Sequence, residues 1–404
     1  VTKDIEKLMQ IPELSPEIIN AAVAKKILLE LKKPQEFQDL VVALLTADTK
    51  VLSKSIKEKS LDGRRGSKIA LKPTRLLVSC SHPTNNITFL DYESKETYDQ
   101  FKGPKVNDAS WTHVKEIPNT DLLCSFQHSK SSAATLTLFD LSQSNQVKAI
   151  FSFQTEGRVG SGFAAYNFNR NILGVIPIGG KTSYHLFNME LNIPYNKDSI
   201  KFMRKSQWFS DYSNNQDNTM TDLDFDLEGK RAAAIDEFGT CLISNIDADS
   251  YISHLQPDNS KQSNNNRCRW ITNVSESLLF IKYNLNFLNI LDTEKMALEL
   301  KSSIKIDKDT TYWMDLCPTN NNLLATVGTD KNINIFDRRE SKVVKTIDSV
   351  HSGNIYNVRW NPSGHQLLTA SHDKYVKLLD YSKGKIVYTD GITNHEIAAS
   401  ACFI

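Results

Sequence analysis

The chain has 404 residues, with 48 Lys and Arg against 47 Asp and Glu, so its formal net charge is +1. This balance excludes a global electrostatic attraction to nucleic acid or to an anionic membrane, and any binding must therefore be local. The length suits one large globular domain with an N-terminal appendage. No run of about twenty apolar residues is present that would span a bilayer.

The first 66 residues carry helical signals. Ser15-Pro16-Glu17 combines a capping hydroxyl, a first-turn proline and an early carboxylate, and apolar residues follow at helical spacing over 19–31 and again over 35–45. We expect a short α-helical appendage followed by a basic linker at 54–65. The helices either pack on the following domain, end a domain further upstream, or form a partner-binding helix-loop-helix. The basic stretch is a solvated linker, a nuclear-import signal or a phosphate-binding segment.

From residue 67 onward a two-residue signature recurs, in which a bulky apolar residue is followed by Asp or Asn. The separations range from 43 residues (Asp337 to Asp380) to 57 residues (Asn188 to Asn245). The seven signatures are Leu90-Asp91, Phe139-Asp140, Phe187-Asn188, Ser244-Asn245, Leu291-Asp292, Phe336-Asp337 and Leu379-Asp380, with a small residue in the fourth. A period in the forties with several short strands per unit predicts four-stranded blades stacked around an axis.

The last repeat shows its strands most clearly. Alternating residues predict strands at 355–360, 366–370, 375–379 and 385–389, and Asn361-Pro362-Ser363-Gly364 has the composition of a turn. One blade cannot bury both of its faces alone, so neighbouring blades must stack against it.

The first repeat lacks a strand. Residues 75–79, 87–90 and 97–101 supply three, and residues 395–404 mirror the opening of the preceding blade. We therefore expect a ring closed by mixing the two termini, which leaves no free inner edge. In the alternative, Lys68 to Leu71 supply the missing strand and the tail begins an eighth blade.

Cysteine usage and the N-terminus bear on the compartment. The six cysteines form no CxxC pair and lie mostly in predicted strands, which is typical of reduced thiols in an intracellular protein. We expect a cytoplasmic or nuclear location, although the chain begins at Val1 rather than Met. No His or Cys spacing indicates a metal site, and we predict no cofactor.

The glycine-rich stretch Gly174 to Thr182 is similar to a phosphate-binding loop. Its spacing is one residue too long, and no helix follows whose N-terminus could hold a phosphate. We therefore expect a tight turn between two strands.

Two successive units, residues 323–337 and 367–380, align closely, and His351-Ser352-Gly353 precedes the second. Together with Trp360 and Pro362 these features resemble the WD40 family of β-propellers, over residues 74–404. The resemblance implies an all-β fold. We expect a seven-bladed WD40-type β-propeller closed by mixing the termini over 67–404, with the short N-terminal α-helical appendage and linker over 1–66.

The same resemblance assigns a structural hydrogen-bond network to His351, Thr369, Ser371 and Asp373. In WD40 proteins such a network joins the loop before a blade to the second and third strands and usually ends on a Trp, whose place Leu379 takes here. The same residue types could be mistaken for a hydrolase triad.

Partner binding in this family occurs on the face formed by loops that enter the inner strand and leave the second strand. By position among the blades, five residues are candidates for that face: Trp111, Arg269, Tyr312, Tyr356 and His372. Aromatic residues and Arg are common interface anchors, although an aromatic near a strand end also packs within its own blade. The implied function is a monomeric, non-enzymatic scaffold for other proteins or peptides, with no membrane and no nucleic-acid partner.

A more specific hypothesis concerns Phe336-Asp337-Arg338-Arg339. This segment resembles the WDxR box of substrate receptors for cullin-4 ubiquitin ligases, some of which carry a helical pair before the propeller. Asp337 and Arg339 would then contact the ligase adaptor. Asp-x-Arg is also common after third strands of WD40 repeats in general. A propeller enzyme is a third class, but no residue pattern nominates catalytic groups for it.

Overall fold

The computed structural model describes residues 76–403 with internal gaps. The gaps are 83–85, 92–95, 103–108, 118–119, 130–134, 142–146, 155–161, 178–183, 191–194, 207–219, 259–260, 264, 272–276, 301–302 and 392–396. The chain separates into two units, Val1–Ala70 and Leu71–Ile404, and all described residues belong to the second. The predicted helical appendage and basic linker, 1–66, lie outside the described residues.

The described residues form antiparallel sheets built from short strands. In chain order the strands are β1 (Leu76–His82), β2 (Asn86–Asp91), β3 (Glu96–Lys102), β4 (Ala109–Ile117), β5 (Leu122–Ser129), β6 (Thr135–Asp140), β7 (Lys148–Gln154), β8 (Gly162–Asn167), β9 (Ile172–Pro177), β10 (Tyr184–Met189), β11 (Ile200–Ser206), β12 (Met220–Phe225), β13 (Arg231–Asp236), β14 (Cys241–Asn245), β15 (Ser250–Leu255), β16 (Arg267–Trp270), β17 (Leu278–Tyr283), β18 (Phe287–Asp292), β19 (Ala297–Leu298), β20 (Ile304–Lys305), β21 (Thr311–Leu316), β22 (Leu323–Gly328), β23 (Ile333–Asp337), β24 (Lys342–Ile347), β25 (Ile355–Trp360), β26 (Gln366–Ser371), β27 (Tyr375–Asp380), β28 (Lys385–Gly391) and β29 (Ile397–Phe403).

Six of the sheets are four-stranded blades, and the sheet of β16–β20 differs from them. There β18 pairs with two dipeptides, β19 and β20, in place of one outer strand. The Asn289 side chain on β18 accepts from the backbone N–H of Leu300, which lies between the two dipeptides, at 3.3 Å.

The predicted fold class is therefore wrong as stated. The structure has six four-stranded blades and one five-stranded sheet in place of seven like blades. The described residues contain no α-helix, and their one helical element is a 3-10 turn at Lys197–Ser199. No helix in this described part of the chain is long and apolar enough to cross a bilayer.

The two ends of the domain share one sheet. β29 pairs antiparallel with β1, with Leu77 opposite Phe403 and Cys80 opposite Ser400, and the sheet order is β29-β1-β2-β3. The tail thus supplies the innermost strand of the first sheet, as the sequence predicts. The alternative strand at Lys68 to Leu71 lies outside the described residues. A register shift between Cys80 and Ser81 marks a bulge in this pairing.

The innermost strands follow one another in a ring. Each contacts the next, in the cyclic order β29, β4, β8, β12, β16, β21, β25 and back to β29. Ring closure by β29 buries an inner edge that would otherwise expose unpaired backbone groups.

The core lies between neighbouring sheets. β17 and β22 are buried along their whole length, whereas β24 alternates between exposed and half-buried positions. In one representative cluster Val327 and Ile335 of one blade pack with Val358 and Leu367 of the next. Second and third strands are covered on both faces, and fourth strands form the half-exposed rim, as stacking of adjacent blades requires.

In three of the repeat signatures the final Asp, at Asp292, Asp337 or Asp380, closes a turn after the third strand. Its carboxylate accepts backbone N–H groups three or fewer residues ahead: Asp337 accepts from Arg339 at 2.9 Å, and Asp380 accepts from Lys383 at 3.0 Å. Asx turns of this kind satisfy backbone donors where the chain reverses. The repeating signature is therefore a turn device at the strand end.

The glycine-rich stretch is not the predicted tight turn at its beginning, because Gly174 lies within β9. A Cβ there would lie 2.5 Å from Phe225 Cζ and 2.6 Å from Leu223 Cδ2. Gly174 therefore permits close packing of the β8–β11 sheet on the β12–β15 sheet. Residues 178–182 of the stretch lie outside the described residues.

Candidate functional site

A cavity of about 350 Å³ lies among the inner strands, and we call it the inner-strand cavity. Its described lining residues are His113, Asn265, Arg267, Tyr312, Trp313, Tyr356, Asn357, Ile397, Ala399 and Ser400. They belong to β4, β16, β21, β25 and β29 and to the residues just before β16. Tyr312 and Tyr356 are each the second residue of their strand, so the cavity opens at the end of the ring where inner strands begin.

A repeated bulge shapes the cavity wall. The pairing register of the inner strand shifts between Thr311 and Trp313 in β21, and between Ile355 and Asn357 in β25. The skipped residues are Tyr312 and Tyr356. Because a bulge redirects side chains locally, both tyrosines reach the cavity although their neighbours Trp313 and Asn357 line it as well.

Trp313 is the centre of a cluster of cations. The guanidinium carbons of Arg267, Arg269 and Arg359 lie 5.2, 5.5 and 5.1 Å from its ring centroid. These distances fall within the cation–π range of about 6 Å. The His113 ring lies 5.0 Å away, between centroids. Side chains from β4, β16 and β25 thus converge on one tryptophan of β21.

Carboxylates anchor two of these arginines. Arg269 forms an ion pair with Asp222 of β12, and Arg359 donates to Asp315 of β21 at 3.1 Å. Burial by itself would lower the pKa of Arg269, but Asp222 and Asp224 raise it above its ordinary value. Each ion pair also joins adjacent sheets, because its two partners belong to neighbouring inner strands.

Arg267 is held differently. Its guanidinium donates to the carbonyl oxygens of Thr221 at 3.2 Å and of Asn266 at 2.8 Å. Burial lowers its pKa to about 10, an effect that Asp222 opposes. Arg267 therefore remains a cation at neutral pH, at the wall of the inner-strand cavity.

His113 is neutral at physiological pH. Burial lowers its pKa well below 6.5, and the nearby cations Arg359, Lys115 and Arg267 lower it further. Its Nδ1 lies 3.4 Å from Ser400 Oγ, across the contact between β4 and the tail strand β29.

The last blade contains a second polar cluster. His351 Nδ1 lies 2.9 Å from Asp373 Oδ2, and His351 Nε2 lies 2.8 Å from Thr369 Oγ1. Ser371 Oγ donates to the carbonyl of Asn354 at 2.9 Å and accepts from the backbone N–H of Asp373 at 3.1 Å. These bonds tie the loop before β25 to β26 and to the turn that follows it.

The network ends on backbone at the third strand. Thr369 Oγ1, whose hydrogen a neutral His351 Nε2 would accept, also lies 3.3 Å from the carbonyl oxygen of Lys377. Burial lowers the pKa of His351 although Asp373 opposes this. Burial alone would raise the pKa of Asp373, but the Ser352 N–H and His351 hold it below its ordinary value. A neutral His351 beside an ionised Asp373 fits a structural link.

Comparison with known proteins identifies the repeats. The family model described as the anaphase-promoting complex subunit 4 WD40 domain matches residues 314–400. This interval contains the His351 network and all of the last two blades except the first three residues of β21. Residues 314–400 therefore contain WD40 repeats.

Two further similarities agree with WD40 repeats. A WD repeat-containing protein AAC3 of Dictyostelium discoideum is 43% identical over 63 residues, which are 16% of this chain and only 13% of that protein. The crystal structure of Chaetomium thermophilum Sqt1, bound to the N-terminus of ribosomal protein L10, has a TM-score of 0.56 at 15% identity. That match covers 80% of this chain and 85% of Sqt1, and it supports the fold alone.

The WD40 ring brings three of the five predicted partner-binding residues together. Tyr312 and Tyr356 have ring centroids 5.5 Å apart, and His372 lies 6.2 Å from Tyr356. Arg269 lies against Trp313 and Asp222 rather than among the cavity-lining residues. Trp111 belongs to β4, where it is paired opposite Gln127.

Apart from Arg269, the polar residues around Trp313 were not predicted from the sequence. Their signal is a triplet in five inner strands, in which a buried apolar residue lies between two polar or aromatic residues. The triplets are His113-Val114-Lys115, Asp222-Leu223-Asp224, Arg267-Cys268-Arg269, Trp313-Met314-Asp315 and Asn357-Val358-Arg359. The middle residue of each is buried, as period-two alternation requires when the flanking residues point to the opposite face.

The proposed ligase-contact residues form their own local pair. Arg339 donates to the Asp337 carboxylate at 3.1 and 2.6 Å, and its side chain is 61% exposed. This bond lowers the pKa of Asp337, although burial opposes the shift. Asp292 and Lys295 make a comparable pair in the preceding sheet, at 2.7 Å. In both sheets the cation therefore binds the carboxylate that closes the turn after the third strand.

Proposed function

We propose that this WD40 protein is a non-enzymatic scaffold that binds a protein or peptide at the open end of the inner-strand cavity. The contact surface is formed by Tyr312, Tyr356 and His372. Trp111 and Arg269 stay sequence predictions for the same face. The observation that carries the proposal is the aromatic rim: the two tyrosines, both partly exposed, border a cavity of about 350 Å³.

The physical case rests on the properties of that rim. Tyrosine offers a large apolar surface and a polar hydroxyl with few rotatable bonds, which favours its use at interfaces. Burial raises the pKa of Tyr356, with Tyr312 as a further cause, so the Tyr356 hydroxyl stays protonated at neutral pH and available as a donor. The Sqt1 structure, of similar fold, was solved with a protein N-terminus bound, which gives a precedent for a peptide segment as ligand.

The proposal is tested by affinity purification of the whole chain with mass spectrometry. We expect Tyr312→Ala/Tyr356→Ala to lose at least one abundant partner by tenfold or more. Phe168→Ala is the matched control, because Phe168 is an exposed aromatic in the turn after β8, at the opposite end of the inner strands. Retention of every partner by the double variant, at wild-type thermal stability, would contradict the proposal.

The cullin-4 receptor hypothesis stays a prediction of the sequence. Exposure of Arg339 is compatible with a contact to an adaptor, but its bond to Asp337 has the local explanation given above. The hypothesis requires that Arg339→Ala, and separately removal of residues 1–60, abolish co-purification of the ligase adaptor. Co-purification unchanged in both variants would exclude it.

A further inference from the structure

The inner-strand cavity presents buried hydrogen-bond donors. Asn357 is 1% exposed, and its Oδ1 accepts from the Ala401 N–H at 3.3 Å. Its Nδ2 has no hydrogen-bond partner within the described part of the protein. A buried N–H group without an acceptor is strongly disfavoured, so the amide of Asn357 is available to an acceptor that enters the cavity.

The wall of the cavity carries a positive charge, which, like its hydrogen-bond donors, favours an anionic ligand. Among the described lining residues, Arg267 alone is charged at neutral pH and none is acidic. Arg267 is 5% exposed, so its guanidinium acts in a poorly solvated setting where charge-assisted bonds are strong. Arg359 and Lys115 add positive potential at His113, which lines the same wall.

We infer that the inner-strand cavity receives the carboxylate of an Asp or Glu side chain from an acidic segment of a partner protein. Arg267 and the Asn357 amide bind the carboxylate oxygens, and the tyrosine rim packs on the residues that flank it. This inference rests on the proposed function and adds to it the chemistry of the partner.

The rim favours a peptide over a free small carboxylate. The aromatic rings of Tyr312, Tyr356 and His372 follow one another at 5.5 and 6.2 Å, and His372 is exposed. These three side chains extend the contact surface outward from the cavity, at the end of the propeller where the inner strands begin. A chain with residues on either side of the anchoring carboxylate would cover this surface, whereas a small anion would not reach it.

One substitution at Asn357 removes the hydrogen-bond donor and keeps the shape of the side chain. Asn357→Asp keeps the Oδ1 that accepts from Ala401, but it replaces the Nδ2 donor with an oxygen and adds a negative charge. Arg267→Met is a second variant that removes the cation. The matched control is Asn361→Asp at the far end of β25, where Oδ1 accepts from the His365 and Gln366 N–H groups.

The experiment selects peptides from a random display library on the whole wild-type chain. The selected peptides are then synthesised and their binding is measured by fluorescence anisotropy. We expect a shared Asp or Glu, at least tenfold weaker binding when it becomes Asn or Gln, and a similar loss with Asn357→Asp and Arg267→Met. Asn361→Asp should bind within twofold of wild type, and thermal unfolding of each variant shows whether it is folded.

The outcomes distinguish the two proposals. Selected peptides that need the tyrosines but share no acidic residue would overturn the inference and leave the proposed function standing. Failure to enrich any peptide on wild type over Tyr312→Ala/Tyr356→Ala would overturn both. Glutarate that displaces the peptide at the peptide's own concentration would assign the cavity to small carboxylates instead.

Discussion

At the scale of single residues, buried polar groups distinguish one blade of this protein from another. His351 and Asp373 link the loop before β25 to the turn after β26. In the preceding blade the same place, four residues before the inner strand, is held by Asp307. Its carboxylate accepts from Thr311 Oγ1 and from the Asn334 amide, which also bonds Asp330 at 3.0 Å. In this blade the Asn334 amide thus bridges two carboxyl groups, whereas in the last blade the His351 imidazole pairs with a single one.

Asp307 makes stability depend on pH. Burial raises its pKa to about 6, with Asp330 as a further cause. The folded protein therefore favours the protonated Asp307. The contribution of this carboxyl group to the free energy of unfolding is fully present below the unfolded pKa of about 3.9 and is lost as the pH rises through 6. Asp307→Asn retains partners for Thr311 and Asn334. We expect the variant to gain stability relative to wild type between pH 4 and 7, by up to about 1.4 kcal/mol per pH unit.

Urea unfolding at several pH values measures this change. Asp309→Asn is the control, because it makes the same chemical change at an exposed position two residues away. Equal pH profiles for the two variants would show that Asp307 is ionised without penalty in the folded protein.

At the scale of elements, the turn between β25 and β26 follows from its sequence. Asn361 Oδ1 accepts from the His365 and Gln366 N–H groups at 2.9 and 3.0 Å, and Gly364 has φ of +72°. Asn and Gly are favoured in such turns because one bonds nearby backbone and the other adopts positive φ without steric penalty. The predicted turn is confirmed, together with the four strands of the last repeat.

Substitution of two glycines with positive φ distinguishes the cost of backbone strain from the cost of a side-chain clash. A Cβ on Gly364 would lie 2.1 Å from Thr319 Oγ1, whereas a Cβ on Gly384 would meet nothing within 3.8 Å. We expect Gly384→Ala to lower the free energy of unfolding by roughly 1–2 kcal/mol from left-handed strain. Gly364→Ala should lower it further by forcing Thr319 to move. Equal losses in chemical denaturation would mean that Thr319 moves without cost.

At the scale of the whole domain, the tail strand closes the ring. β29 contacts the neighbouring inner strands β4 and β25 and pairs with β1. Ala401 is fully buried in this strand, packed in a cluster with Leu368 and Val376. Strand pairing between the two ends of the domain makes folding depend on contacts far apart in sequence, which form slowly.

A buried charge in the tail should therefore open the ring. Ala401→Asp places a carboxylate among apolar side chains, and we expect it to lower the free energy of unfolding by roughly 3 kcal/mol or more. Ala399→Asp, at a partly exposed position of the same strand, is the control. Hydrogen exchange of β1 measures the effect directly. Retained protection of β1 in Ala401→Asp would indicate that closure does not depend on burial of this position.

The sequence by itself determined the repeats, the strands of the last blade and the role of the tail. Each follows from short-range patterns, namely alternation, turn composition and similarity between units. It did not predict the sheet of β16–β20, in which Asn289 bonds Leu300 and the outer strand becomes two dipeptides. A single side-chain bond between strands leaves no periodic signal.

Only the tertiary structure decided what lies at the centre of the ring. Tyr312, Tyr356 and Arg269 were recognisable by their position among the blades, but Trp313 and its neighbours Arg267 and Arg359 were not. Arg267, Arg269 and Arg359 come from different repeats and converge because inner strands face a common axis. Alternation in the sequence shows that a side chain points away from the apolar core. The geometry of the ring determines which side chains of other repeats it contacts.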